Sequence, residues 1–331
     1  MSDFTENAIC YDNTRLSEYK RCPRAFFIRH VLGWNTEGTG DALVFGQSWH
    51  EGMDIIWKCG QMMGRGELSQ LDVVDMAHQN FMKTWIENGF PETMDFGGYD
   101  RFGARTPGTA KEMMWSYIDE RRSMLCDAEI LGIEQPFAVP LPGVQNTWYV
   151  GRLDKAVHYN GQTLILEHKT TTAYAREGGF RSDYIDSWFA SSQVKGYQFG
   201  GGLYYPDLSA VWVDAALVHN KVHDEFRFIP VAHGPHLLTE WLGNTTTWVE
   251  RVTESRRQER AGVLLSKCFP KNEDNCFGKF GKCPFLDICM TNDDPRKLGG
   301  PPGGFEVNVW EPFDLLGLDK LVKKGEDNES D

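Results

Sequence analysis

Gly151-Arg152-Leu153-Asp154-Lys155-Ala156-Val157-His158-Tyr159-Asn160-Gly161-Gln162-Thr163-Leu164-Ile165-Leu166-Glu167-His168-Lys169-Thr170 is the stretch on which the fold turns. Asn160-Gly161 between two apolar-rich runs predicts a β-hairpin closed by a two-residue type I′ turn. Counting outward from Tyr159 opposite Gln162 sets Asp154 opposite Glu167. Opposed side chains have Cβ atoms roughly 4.5–5.5 Å apart, and two like charges there are destabilising. Side chains alternate between faces, so Lys169 and Arg152 share the face of the two acids. A divalent cation between the acids would relieve their repulsion, and a neighbouring lysine would orient or stabilise developing charge. The pattern outlines a site for metal-dependent phosphodiester hydrolysis. Spacing alone also fits a solvated hairpin face, so other parts of the chain must decide.

The chain has 331 residues, 41% hydrophobic and 24% charged, enough for a large soluble core. No apolar run approaches the length of about 18 residues that a membrane span needs. The N-terminal residues include Asp3 and Glu6 and lack a basic-then-apolar signal pattern, so a cytoplasmic location is expected. A net charge of −13 argues against a nonspecific nucleic-acid coat. It leaves room for a local basic channel, because phosphate binding depends on where the cations lie. Part of the acidity sits in Glu326, Asp327, Glu329 and Asp331 of the tail.

Apolar spacing predicts a helix over 14–34 interrupted at Pro23, and further helices over 46–64, 70–88 and 109–126. A Gly- and Asp-rich loop is expected over 89–108. Strands follow over 133–141, 146–158 and 162–169, then one helix over 183–204, strands over 210–219 and 224–231, and a long helix over 235–266. There is no internal repeat and no phosphate loop. Residues 1–298 read as one domain with a helical insertion at about 54–130. Residues 299–331 read as a linker, Gly299-Gly300-Pro301-Pro302-Gly303-Gly304, and an acidic tail. Trp310, Phe313, Leu315 and Leu316 make that tail a candidate peptide for a protein partner, dispensable for chemistry; the alternative is docking back onto the domain.

Three cysteines, Cys276, Cys283 and Cys289, lie within 14 residues among small and polar spacers, which suits a soft metal site. A fourth ligand could come from Cys22 or Cys268. Individually, His50 and the Gln193/Tyr197 pair, which share a helix face, read as structural groups.

Taken in order, the motifs resemble one family. Leu16-Ser17 through Cys22-Pro23, Val31-Leu32-Gly33, Gly46-x3-His50, Glu134-x2-Phe137, Gly151-Arg152-Leu153-Asp154, Glu167-x-Lys169-Thr170 and Gln193-x3-Tyr197 look like RecB-like nucleases of the PD-(D/E)XK superfamily. These include the AddB nuclease domain, the CRISPR-adaptation exonucleases and phage-encoded relatives; for a phage-encoded chain the location would be the host cytoplasm. The resemblance covers residues 14 to 290. It implies an α/β restriction-endonuclease-like core with a central mixed sheet, a helical insertion and a cysteine metal clasp over 268–290. By resemblance, His50, Asp154 and Glu167 bind catalytic Mg²⁺ or Mn²⁺, Lys169 assists the attacking water, and Gln193 and Tyr197 contact DNA or support the site. Cys22, Cys276, Cys283 and Cys289 would hold a 4Fe–4S cluster, with structural zinc as the alternative. One departure stands out: the family often places two residues between the second and third cysteines, and this chain has six.

The expected function is therefore metal-dependent DNA cleavage, as a single-strand exonuclease of DNA repair, recombination or replication. Thr170-Thr171-Thr172, Trp188 and Tyr197 would line the strand's channel by polar and stacking contacts. The rival is a noncatalytic DNA-binding or assembly module with a structural zinc or iron–sulfur site.

Overall fold

The computed structural model describes residues 8–92, 102–278 and 281–312. The centre of the expected 89–108 loop and the tail residues Phe313, Leu315 and Leu316 lie outside them. In chain order the elements are β1 (Ile9–Tyr11), α1 (Asn13–Arg21), α2 (Pro23–Phe26), a π-helical turn (Phe27–Val31) and β2 (Trp34–Thr36). The helices α3 (Asp41–Gly64), α4 (Gln70–Glu87) and α5 (Pro107–Asp127) follow, then the strands β3 (Glu129–Pro140), β4 (Thr147–Tyr159) and β5 (Gln162–Thr171). After them come α6 (Ser182–Phe189), α7 (Ser192–Gly201), β6 (Leu208–Leu217), β7 (Phe226–Val231) and α8 (Pro235–Arg260). The chain closes with α9 (Leu265–Cys268), β8 (Phe277–Gly278), β9 (Gly281–Lys282), α10 (Leu286–Thr291) and β10 (Phe305–Val307).

A six-stranded mixed sheet runs in the order β1-β4-β5-β6-β7, with β3 also paired to β4. The β1/β4 and β5/β6 pairs are parallel; β4/β5 and β6/β7 are antiparallel. Asn160 and Gly161 have φ of 49° and 73°, the two positive angles a type I′ turn demands. Pairing then runs from Tyr159 opposite Gln162 to Lys155 opposite Leu166, in the register the turn predicts. The ladder stops there. Asp154 instead accepts a hydrogen bond from the backbone N–H of His168 at 2.8 Å.

Two helix predictions change. The expected helix over 183–204 is broken after Phe189, and Ser191 starts α7 by accepting the Val194 N–H at 3.3 Å. The expected helix over 235–266 ends at Arg260, where Gly262 adopts φ +79°, a left-handed C-terminal stop. Near the N-terminus the helix breaks at the proline: Cys22 is extended (φ −160°), as residues before proline are, and Pro23 opens α2.

The chain divides into two compact units. The first comprises Met1–Glu37, Pro136–Arg152 and Pro235–Asp331. In it Tyr19 packs edge-on against Phe26 (5.3 Å) and exchanges a 2.9 Å hydrogen bond with Ser255 of α8. Its β10 pairs antiparallel with β2, and Arg15 lies over the Trp310 ring at 4.7 Å. Of the two readings of the tail, docking therefore holds through Trp310.

The second unit comprises Gly38–Gln135 and Leu153–Gly234, and it holds α3, α4 and α5 with β5, β6 and β7. Its core is rich in Trp49, Trp57, Phe81, Trp85 and Tyr117, all fully buried. At Gly60 a Cβ would stand 2.2 Å from the Leu125 carbonyl oxygen, so glycine is what lets α3 and α5 approach.

Candidate metal centre

Asp154 and Glu167 are not on a solvated face: they are 7% and 1% exposed. His50, on α3, brings Nδ1 to 3.3 Å from Asp154 Oδ2. Glu134, on β3, completes a group with them: one ligand atom from each of His50, Glu134 and Asp154 lies within 4.8 Å of the others. Glu134 has φ 51°, a strained angle for a non-glycine residue within a strand. In the sequence Glu134 stands only as the acid of Glu134-x2-Phe137, the one signal there for its place at the centre.

Glu167 gathers the other expected residues. The Lys169 ammonium pairs with its Oε1, and Gln193 Nε2 donates to the same oxygen at 2.9 Å. Gln193 also donates to the Tyr197 hydroxyl at 3.0 Å. Tyr197 is buried, so it braces Gln193 and offers no ring face to a stacked base. Trp188 remains half-buried beside Tyr184, with ring centroids 5.8 Å apart.

The electrostatics follow from this crowding. Glu167 is pushed up to about 8, by burial first and then by the Asp154 carboxylate. Burial would also raise Asp154, yet His50, Lys169 and Lys155 hold it below the ordinary carboxylate value. His50 falls to about 4, mainly through burial, against the pull of Asp154. Burial would lower Lys169, but Glu167 and Asp154 keep it above its usual value. At neutral pH the centre thus holds a neutral imidazole, an ionised Asp154 and a protonated Glu167.

This donor set fits a hard divalent cation. Oxygen ligands with one neutral imidazole suit Mg²⁺ or Mn²⁺. Glu167 Oε2 is buried without a hydrogen-bond partner, a cost that a cation would offset.

In the first unit, Cys22, Cys276, Cys283 and Cys289 line one cavity together with Arg21 and Lys271. The six-residue spacer is taken up by the β8–β9 hairpin, and Cys283 N–H donates to the Cys276 carbonyl at 2.8 Å. The longer loop therefore returns the two cysteines side by side. Asn272 N–H points at Cys22 Sγ, 3.4 Å away. Burial pushes the Cys289 thiol up to about 11, while Cys276 is raised by burial and then by Cys283 and Cys22. Four sulfurs around one cavity, with a backbone N–H directed at one of them, fit a shared cation or cluster. Cys268 does not line the cavity; its thiol donates to the Leu264 carbonyl at 3.4 Å.

A family model described as the PD-(D/E)XK nuclease superfamily matches residues 13–290, and the chain belongs to that superfamily. It is a nuclease by family, and PD-(D/E)XK nucleases use divalent metals. No curated relative matches. A solved structure from Eubacterium rectale named “putative exonuclease” is 12% identical, with 92% of this chain and 91% of that chain covered and a TM-score of 0.48. Among the described residues, no helix is long and apolar enough to cross a membrane.

Proposed function

We propose that the protein is a metal-dependent DNA exonuclease that takes single strands, in DNA repair, recombination or replication. The observation that carries the reading is the convergence of His50, Glu134 and Asp154 beside a buried Glu167 whose Oε2 has no partner. Asp154, Glu167, Glu134 and His50 would hold Mg²⁺ or Mn²⁺. When bound, the ion supplies a water of lowered pKa and neutralises charge on the departing oxygen. Lys169, whose ammonium pairs with Glu167, orients the attacking water and donates to the phosphoryl oxygen. Gln193 fixes the Glu167 carboxylate, and Tyr197 fixes Gln193. Trp188 and the exposed Phe189 supply apolar ring surface on which unpaired bases can stack.

End-labelled single- and double-stranded oligonucleotides with Mn²⁺ provide the test. Single strands should shorten stepwise from an end, and Asp154→Asn should abolish the reaction. Cutting by that variant at the unmutated rate would overturn the reading. Preference for duplex or internal cuts would leave the nuclease and reject the single-strand exonuclease.

The cysteine cavity is proposed to hold a 4Fe–4S cluster through Cys22, Cys276, Cys283 and Cys289. Lys271 and Arg24 offset the cluster's negative charge; Arg24 is the cation that most lowers Cys289, and Lys271 follows. Anaerobically purified protein should be brown, with iron and acid-labile sulfide. Colourless protein carrying one zinc would replace the cluster by the zinc alternative.

A further inference from the structure

We propose that the buried Asp54–Lys155 ion pair is a positioning clamp that holds His50 against Asp154. The inference rests on the reading that His50 and Asp154 bind the metal. His50 and Asp54 stand one turn apart on α3, and Asp154 and Lys155 are consecutive on β4. Two contacts therefore tie the same helix turn to the same strand segment: His50 Nδ1 to Asp154 Oδ2 at 3.3 Å, and Lys155 Nζ to Asp54 Oδ1 at 2.9 Å. Consecutive strand residues ordinarily face opposite ways. Here both reach α3, at the point where the β4/β5 ladder has just ended. A single contact would let the helix pivot about it. Two contacts one turn apart fix both its rotation and its position along the strand.

Stability does not explain the pair. Lys155 is 0% exposed and Asp54 7% exposed. Well-packed apolar residues in place of a buried ion pair are often as stable or more so. What the pair provides and apolar packing does not is a directed bond of defined length. Lys58 lies 3.6 Å from the other Asp54 oxygen, which points the carboxylate so that Oδ1 faces Lys155. Asp54 and Lys155 touch no reacting atom and act only through His50 and Asp154.

The test replaces the pair with apolar groups, Asp54→Leu with Lys155→Met, and titrates the protein with Mn²⁺ alone by calorimetry. The variant should melt cooperatively near the wild-type temperature and bind Mn²⁺ 10- to 100-fold more weakly, the usual effect of losing an outer partner of a ligand. Adding His50→Ala to it should cost less than threefold more, because His50 would already be misplaced; the same change in wild type should cost far more. Mn²⁺ affinity within twofold of wild type, or full additivity with His50→Ala, overturns the clamp. Should the apolar pair fail to melt cooperatively, Asp54→Glu keeps the charges and adds one methylene. Weakened Mn²⁺ binding there supports the clamp, and wild-type binding rejects it. Asp154→Asn separates the two levels: normal Mn²⁺ binding and cleavage in that variant remove the metal reading itself, and the clamp with it.

Discussion

Glu167 carries the electrostatic strain of the centre, and its proton makes stability depend on pH. A carboxyl raised to about 8 in the fold holds a proton that the unfolded chain has released above about 4.5. The folded state thus binds more protons across that window, so stability falls as pH rises toward 8. His50 works in the opposite sense: depressed to about 4, it costs stability as pH falls below 6.5, where only the unfolded imidazole takes up a proton. Between pH 6.5 and 8.5 the Glu167 effect outlasts that of His50, and comparison with Glu167→Gln cancels the contribution of the raised cysteines. In EDTA, urea midpoints should show the wild type losing about 2 kcal/mol over that range relative to Glu167→Gln. Equal slopes for the two proteins would remove the raised carboxyl. Metal binding must expel the same proton, so Mn²⁺ titrations near pH 7 should release up to one proton per ion, read from the buffer dependence of the binding heat. Lys169→Ala should cut turnover strongly while sparing Mn²⁺ affinity, since an ammonium is no cation ligand. Glu134→Gln should weaken Mn²⁺ binding by at least tenfold. At this scale the hairpin register from Tyr159–Gln162 to Lys155–Leu166 was legible, because Asn-Gly fixes it by itself, whereas the loss of pairing at Asp154 was not. Glu134 was legible only as the acid of a motif; its φ of 51° and its nearness to His50 are products of the tertiary fold.

Among the elements, α3 presents His50 from its first half and packs against α5 farther along. Its apolar period predicted a helix over 46–64, yet nothing in that period marks Gly60 as different from any glycine in a helix. The close approach to Leu125 makes it different, because the obstructing atoms are backbone and cannot rotate away. Gly60→Ala should therefore destabilise by about 1–3 kcal/mol through forced separation of α3 and α5, although alanine is the better helix former. A melting temperature at or above wild type would show that α5 yields freely. The split between α6 and α7 has a similar lesson. Periodicity ran through Ala190 and Ser191 without a proline or glycine to stop it. Ser191 was a readable N-cap, but Ser also sits within helices, and only the Val194 hydrogen bond decides. The break sets the start of α7 and hence the aim of Gln193, two residues on.

Over the whole molecule, the order of the long helices and strands between residues 41 and 260 was legible apart from the α6/α7 break, because each hydrophobic pattern is local, whereas short strands such as β1, β2 and β10 were not. The gathering of Met1–Glu37, Pro136–Arg152 and Pro235–Asp331 into one unit was not, since composition does not change where the chain leaves and re-enters it. The tail shows what such gathering does to a functional prediction. After a six-residue Gly/Pro break, a detachable peptide was a natural expectation, and truncation after Gly300 should then have been harmless. Instead Phe305–Val307 add a strand to Trp34–Thr36, and Asn308 N–H donates to the Gly33 carbonyl at 2.7 Å. Asn35 Nδ2 donates to the carbonyls of Gly33 and Asn308, at 3.1 and 3.0 Å. Trp310 covers the guanidinium of Arg15. Removing this segment strips backbone partners from β2 and uncovers a half-buried cation. Truncation after Gly300 should lower the melting temperature by about 5 °C or more, whereas truncation after Glu311, which keeps β10 and Trp310, should leave it within about 1 °C. Both forms should still cleave DNA below their melting points, because His50, Asp154, Glu167 and Lys169 all belong to the second unit. If the shorter form melts with the longer one, the strand pairing contributes nothing and residues 305–310 return to being a free peptide for a partner.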